Sequence, residues 1–572
     1  MRAEVAVVGG GPVGLLVAAE LAAFGVDVVV LEARDVVWEQ PRATTLHARA
    51  VQCLARRGRL PEEESGGLGG SSGGASDGSG GGSFTGGPST AEFHFAGVPG
   101  LVITAPEGEP APILKCPQAE LERLFERQAR AAGARVLRGH AVTRLVEGPD
   151  AVVVAAEGPA GPVSCTARYV VGADGARSVV RELAGIASDV WPATVSALAG
   201  QVRLVDPGAL SPGWHRTPRG WIVARPDADG SLHLRTLDCA GAHGERGAAP
   251  TPQELEREVS RIAGRDIRLA EPRWLSRFSD FTRLARRFRA GRVLLAGDAA
   301  HVHFPIGGQG LSAGVLDAVN LGWKLALAVR GEAGAGLLES YERERRTAAG
   351  RVVECARAQL GLMRPGLEGE EVARVLGAVL AGGGDGVLAG MVSGQDTVYE
   401  RWAGAAGSTG AEDAAGVGEG SFLGNVRLRV GGRGGRVWTD VIGVLRAGGP
   451  VLLVPEGSVP GVYEELVRPW GGVVRVVRVG AAAGVGVCGA VLVRPDGYVG
   501  WAEGAGAAGA AGSGGGLRDA LGAFFGAGCG AGRGPCPCGG VGRGVCRRVP
   551  CPPAPSPDLG PRSRTPLPGA RP

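Results

Sequence analysis

Lysine is nearly missing from this chain: Lys115 and Lys324 are the only two, beside 59 arginines. A ratio that skewed reflects the codon bias of a GC-rich genome rather than a basic surface built for a partner. The formal net charge is +4, but residues 527–572 hold seven Arg and one Asp, a contribution of +6, which leaves the rest near −2. That excludes the electrostatic footprint of a nucleic-acid binder. Histidine stops at His303, and no C-x-x-C pair occurs among the 11 cysteines. The common zinc and dithiol spacings are therefore absent, and no metal is expected. Cys53, Cys116, Cys165, Cys239, Cys355 and Cys488 are scattered as reduced thiols are. The other five crowd the tail. The apolar stretch from Val5 to Leu31 is interrupted by Glu20 and Asp27 and follows no basic leader. It does not read as a membrane span or signal peptide, so a cytoplasmic protein without membrane partners is expected.

Glycine is abundant instead, at 102 residues. Between Ser65 and Thr90, 12 of 26 residues are Gly and seven are Ser. Such a stretch buries almost nothing and reads as a flexible insertion. From Gly526 onward apolar periodicity is lost and Pro, Gly and Arg dominate, so residues 527–572 are expected to be a disordered tail.

Two places organise glycine around chemistry. Glu4 to Val8 form an apolar strand, Gly9-Gly10-Gly11-Pro12-Val13-Gly14 turn, and Leu15 to Phe24 continue as a helix. A second strand, Asp27 to Leu31, delivers Glu32. This is the dinucleotide-binding βαβ unit: Gly9, Gly11 and Gly14 allow a tight turn and close backbone approach, the helix N-terminus offers N–H groups to a pyrophosphate, and Glu32 accepts from ribose hydroxyls. Context carries the reading, because this much glycine yields roughly three G-x-G-x-x-G matches by chance. One such match, Gly484 to Gly489, leads into the β-like Ala490 to Val493 and reads as a loop.

The second place is Arg292 to Ala326, where a buried strand, Asp298, a Gly-rich turn and a helix follow one another. Together with YVVGADGARSVVR at 169–181, the order and spacing of these segments resemble the class A FAD-dependent aromatic hydroxylases, relatives of para-hydroxybenzoate hydroxylase and phenol hydroxylase. Within that family the chain is most similar to the bacterial aromatic polyketide hydroxylases and the rifampicin monooxygenases. Further matching pieces are PRATTLHARAV at 41–51, CPQAELERLFE at 116–126, EPRWLSRFSDFTR at 271–283, LAGMVSG at 388–394 and VLVRPDGYVGWA at 491–502.

The resemblance implies an α/β fold: a Rossmann-type FAD-binding domain, an interleaved antiparallel-sheet substrate domain and a C-terminal thioredoxin-like domain. Expected bounds are 1–180 and 273–399 for the FAD domain, 181–272 for the substrate sheet and 400–526 for the thioredoxin-like domain. Without a C-x-x-C pair, that last domain is expected to be structural or dimer-supporting. Period-two runs such as Gly220 to Arg225 and Leu232 to Leu237 suit the substrate sheet.

The resemblance also assigns residues. Asp298 would accept the ribityl hydroxyls of FAD, although a helix-capping Asp would leave the same local sequence. Asp174, with Arg181 closing its motif, falls where the family meets both flavin and nicotinamide, although Asp-Gly after an apolar strand is also an ordinary turn. Arg42, Gln118 and Val142 match cofactor-contacting positions. Pro305, Gly308 and Gly310 form a turn beside the isoalloxazine ring, and Leu311 and Ser312 then start a helix whose dipole stabilises negative charge there. Many relatives carry Asn at the position of Ser312. His301 and His303 are expected to pack or hydrogen-bond at the strand-turn corner, and no catalytic residue is assigned.

The implied activity is FAD reduction by NADPH or NADH, reaction with O2 to a flavin C4a-hydroperoxide, and hydroxylation of an aromatic polyketide or other polycyclic phenol. Hydroxylating inactivation of an aromatic antibiotic and an inactive flavin-binding scaffold are the alternatives. The protein is expected to be a monomer or homodimer.

Overall fold

The computed structural model describes residues 1–40, 42–61, 88–242, 248–401, 418–432, 435–481, 489–503 and 514–528. Most of the Gly/Ser insertion, Gly484 to Cys488 and the Cys-rich tail from Cys529 lie outside the described residues.

The runs Val5–Val8, Val28–Leu31 and Val293–Leu295 are at most 5% exposed, as strands covered on both faces must be. They belong to one parallel sheet with the order Arg135–Arg138, Val28–Glu32, Arg2–Val8, Gly161–Gly172, Val293–Leu295. The stretch from Val5 to Leu31 is thus strand, helix (Pro12–Ala23) and strand. The chain leaves Arg2–Val8 to one side and returns on the other, so strand order reverses there and opens a crevice at the carboxyl ends. An antiparallel meander, Ala141–Glu147 with Val152–Gly158 and the first half of Gly161–Gly172, extends from this sheet.

Helix Gln309–Arg330 is long and apolar enough to cross a membrane, yet 94% of its most apolar window is buried in the core. It starts two residues before the expected Leu311, because Gly308, at φ +65°, caps it from the left-handed region. Small residues let it cross helix Pro12–Ala23 closely: a Cβ on Gly314 would lie 2.6 Å from Val13, and one on Gly322 would lie 2.4 Å from Glu20.

A second sheet is antiparallel, with the order Gly213–Thr217, Gly220–Pro226, Leu232–Asp238, Ser196–Leu204, Leu269–Ser279. The expected boundary at 272 falls inside its last strand. One face packs Leu198, Val202, Ile222, Ala224 and Leu234 against helix Pro252–Ala263. The other face presents Trp214, Trp221, Val223, Arg225, Arg235 and Leu237, as the register requires. Hairpin Ser89–Phe95/Val98–Ala105 adds Phe95, Leu101 and Ile103 to the apolar cluster on that side, which also holds Phe304 and Ile306. The wall opposite the parallel sheet therefore draws on residues well outside 181–272.

The third sheet has the order Gly435–Asp440, Arg427–Gly432, Arg475–Ala481, Val451–Pro455, Val491–Val493, Val499–Ala502, and only Val451–Pro455 and Arg475–Ala481 run parallel. It is fastened to the first domain by charge. Arg494 makes a forked pair with Glu344 at 2.9 and 2.7 Å, and also reaches Asp496 at 3.0 and 2.6 Å. Lys324 closes on the same Glu344 oxygen at 2.7 Å. All four side chains are nearly solvent-free. The VLVRPDGYVGWA segment thus acts as a clasp between domains.

Candidate functional site

The three glycines of the first turn have different jobs. Gly9 has φ +106°, and a Cβ there would fall 2.3 Å from the Ala173 carbonyl oxygen. Gly14 allows close helix packing, since its Cβ would lie 2.0 Å from the Gly9 carbonyl oxygen. Gly11 is different: it caps helix Pro12–Ala23 at φ −75°, and a Cβ there would meet nothing within 4 Å. Its surroundings are open on the side where the helix presents unpaired N–H groups.

Glu32 ends the second strand with its carboxylate folded over this turn. Its Oε2 accepts from Gly10 N–H at 2.5 Å and its Oε1 from Arg34 N–H at 2.9 Å. Each oxygen keeps a further lone pair for a hydroxyl donor. Val142 lies in the adjoining strand, just after His140, whose N–H donates to the Glu32 carbonyl at 2.7 Å. Glycine turn, acidic residue and Val142 thus sit at one end of the sheet.

Asp298 follows strand Val293–Leu295 in a short 3-10 turn, Gly297–Ala299. It is exposed between buried neighbours. Gly297 packs on Val13 of the first helix, so the Asp298 turn and the glycine turn are neighbours. Arg42 is near enough to Asp298 to feel its charge, although burial, then Arg34, hold its guanidinium below the usual arginine value. Gln118 joins this group because its N–H donates to the Ala43 carbonyl at 3.0 Å.

Asp174 is engaged differently. Its Oδ1 accepts from Ser178 Oγ at 2.6 Å and its Oδ2 from Val180 N–H at 3.1 Å, so the side chain braces helix Val179–Leu183. Only its backbone abuts the glycine turn. Buried Arg181 donates to the Ala299 carbonyl at 3.0 Å, which ties this motif to the Asp298 turn.

The second turn runs from Pro305 through Gly307 and Gly308, both left-handed at φ +72° and +65°, into helix Gln309–Arg330. Gly310 and Leu311 lie in its first turn, where N–H groups lack helical partners. The Ser312 Oγ accepts from His47 N–H at 3.0 Å. His301 Nε2 lies 2.7 Å from Asp317 Oδ2, and His303 Nδ1 lies 2.8 Å from the Phe304 carbonyl. Both do pack at the corner as expected.

Sequence reading missed a cationic group across from this turn. Lys115 pairs in strand with Thr45 and donates to its Oγ1 at 2.8 Å, while Thr45 and His47 are what a Cβ on Gly308 would meet. Burial, then Arg225 and Arg235, lower the Lys115 ammonium. Arg235 is reached by solvent, yet burial, then Arg225, lower its guanidinium as well. Both cations are thus open to solvent and yet within reach of one another's charge. A ladder of rings, Phe93, His94, Trp214 and Trp221, runs beside them with centroids 4.6 to 5.6 Å apart. Phe278 of the sheet closes on Phe304 of the turn at 5.7 Å. Alternation within strands could have flagged Arg225 and Arg235, because both fall on the face opposite the one packed by helix Pro252–Ala263.

The residues fit FAD. The open cradle at Gly11, the free carboxylate of Asp298 and the glycine turn before a long helix stand in the order that a diphosphate, a ribityl chain and a flavin ring require.

The comparisons agree over nearly the whole described chain. Residues 2–356 match the family model "FAD binding domain", and 418–528 match "Aromatic-ring hydroxylase, C-terminal". Rifampicin monooxygenase of Streptomyces venezuelae is 39% identical over 63% of this chain and 71% of its own. The 12-dehydrotetracycline 5-monooxygenase/anhydrotetracycline 6-monooxygenase of Streptomyces rimosus is 36% identical over 64% of this chain and 71% of its own. Among solved structures, CabE, an aromatic hydroxylase from angucycline biosynthesis, superposes with a TM-score of 0.76 at 34% identity, over 92% of this chain and 100% of its own. The cradle, the order of the domains and these matches lead to one conclusion: the chain belongs to the FAD-binding-domain family of aromatic-ring hydroxylases and is an FAD-dependent monooxygenase.

Proposed function

We propose that the substrate is a polycyclic phenol of the aromatic polyketide type, hydroxylated between the Pro305–Gly308 turn and the cationic face of the antiparallel sheet. The observation that carries this is the meeting of three features in one cleft: the flavin-side turn, the aromatic ladder and the unpaired cations. Among the described residues neither Arg225 nor Arg235 has a carboxylate partner.

Bound FAD supplies electron transfer from NADPH or NADH and activation of O2. The protein supplies the rest. Gly9, Gly11, Gly14, Glu32, Arg42, Gln118, Val142 and Asp298 bind and orient the cofactor, with Asp174 acting through the backbone it braces. The first turn of helix Gln309–Arg330, with Pro305, Gly308, Gly310, Leu311 and the Ser312 backbone, places N–H groups and a positive dipole end where charge builds on the ring. An ordinary phenol ionises near pH ~10. Lys115, Arg225 and Arg235 favour the phenolate, the more nucleophilic form, and Trp214, Trp221 and Phe278 exclude water from it. We place the enzyme in the cytoplasm, where its buried free thiols stay reduced, as a monomer or homodimer.

The test is NADPH oxidation by flavin-loaded protein against a panel of polyphenolic polyketides, with peroxide and product measured together. Faster oxidation coupled to a product heavier by one oxygen supports the reading. Oxidation that yields only peroxide with every phenol counts against it.

A further inference from the structure

His47 is a buried side chain that the reaction as described does not use. It ends strand Thr45–His47, caps helix Ala48–Arg56 and is fully buried. Its ring Nε2 lies 2.7 Å from the Gly307 carbonyl oxygen, and its backbone N–H donates to Ser312 Oγ at 3.0 Å. One residue therefore grips the flavin-side turn at both ends, the glycine peptide before the helix and the serine in its first turn.

The turn needs such a grip. Gly307 and Gly308 are consecutive left-handed glycines, which have no side chains to restrict rotation about the peptide between them. A peptide unit is planar, with its C=O and N–H pointing in opposite directions. Fixing the Gly307 carbonyl therefore fixes which way the Gly308 N–H edge and the helix start are aimed. On the far side Gln309 Nε2 holds the Met391 carbonyl at 3.0 Å, so the helix entry is pinned from two directions.

A carbonyl can only accept, so the ring must carry its proton on Nε2. Nδ1 is buried without a partner, and the ring edge packs on Phe93 at 5.1 Å. A second proton on Nδ1 would be buried and unpaired. Burial accordingly pushes the imidazole down to about 4.

We propose that His47 is a positioning residue for FAD: as a neutral Nε2–H donor it aims the Gly307–Gly308 turn at the flavin ring and so sets how strongly the protein favours reduced over oxidised cofactor. The proposal rests on the FAD-hydroxylase reading and adds to it a residue that does not touch the ring. A hydrogen bond of ordinary strength is worth about a tenfold change in an equilibrium.

The experiment compares wild type, His47→Phe, His47→Gln and Ser312→Ala. FAD affinity comes from flavin fluorescence and the reduction potential from dye equilibration. His47→Phe is expected to weaken FAD binding about tenfold and to lower the preference for reduced FAD, seen as a more negative potential. His47→Gln, which retains an N–H donor, restores both in large part, and Ser312→Ala falls between. Wild-type affinity and potential in His47→Phe overturn the proposal. Should that variant fail to fold, 15N shifts of the wild-type imidazole decide: a fixed Nε2–H tautomer from pH 5 to 8 is expected, and an Nδ1–H tautomer or a titration in that range overturns it. A wild-type protein that takes up no FAD would instead defeat the flavin reading itself.

Discussion

Arg345 Nε meets Asp317 Oδ1 at 2.7 Å in a core where both side chains are at most 2% exposed. The other Asp317 oxygen accepts from Gly297 N–H at 2.9 Å and lies 2.7 Å from His301 Nε2. Asp317 thus holds the backbone one residue before Asp298, and against burial, the largest influence, His301 and then Arg345 keep its carboxyl below the usual carboxylate range. Arg345→Met leaves a carboxylate buried beside one imidazole, and the expected loss is about 3–5 kcal/mol. Urea unfolding measures it. Arg345→Lys should recover little, because the guanidinium also donates to the Ala313 carbonyl and Tyr399 at 3.2 Å each. Stability within 1 kcal/mol of wild type, roughly the effect of a surface change, would mean the network is incidental.

Gly11 and Gly14 separate cofactor binding from folding. An alanine at 11 has φ −75° and empty space to occupy, so Gly11→Ala should melt like wild type while losing FAD affinity about a hundredfold, the methyl standing where the diphosphate approaches. Gly14→Ala drives a methyl to within 2.0 Å of the Gly9 carbonyl oxygen and should lower stability by a few kcal/mol whether or not FAD is added. Paired melting curves and FAD titrations decide, and equal behaviour of the two variants would refute this division of labour.

Much of the cofactor side was legible in the sequence because its signals are local. A turn with required glycines, an acidic residue at a strand end and an Asp before a Gly-rich turn each occupy a few consecutive residues. The Asp174 side chain was harder, since bracing a helix and meeting a ligand demand the same residue in the same place. The substrate side was mostly illegible. Lys115, Arg225 and Arg235 come from three strands in two sheets, and only the packing of those sheets brings them together. The clasp of Lys324 and Glu344 with Arg494 spans more than 150 residues, so no window of sequence contains it. His47 lay inside a matching segment, but its value depends on a carbonyl 260 residues away.

Arg235→Met tests the phenolate. Removing one of three cations raises the ionisation point of a bound phenol, so the rising limb of the kcat profile, which reports groups in the enzyme–substrate complex, should move up by about one pH unit. The variant should approach wild type at high pH, where the phenol ionises unaided. A uniform fall at every pH would mean that Arg235 packs against the substrate without affecting its ionisation.

Glu258 gives the substrate sheet a stability that declines with pH. It lies on helix Pro252–Ala263, accepts from the Thr236 hydroxyl, and is pushed up to about 7, first by burial, with Asp238 and Glu254 adding to it against Thr236 and Arg261. A carboxyl raised in the folded state binds its proton more tightly there than in the unfolded chain. Its contribution is therefore complete below pH ~4.5, is lost as pH rises through about 7, and becomes a cost once the buried carboxylate is charged. Glu258→Gln keeps the shape and cannot ionise. It should match wild type near pH 5, exceed it by about 1–2 kcal/mol at pH 8 because partial exposure softens the full effect, and flatten the slope between. Denaturant unfolding at four pH values measures this. Parallel curves for the two proteins across pH 5 to 8 would show that Glu258 is already ionised in the fold and that the Thr236 bond serves the charged form.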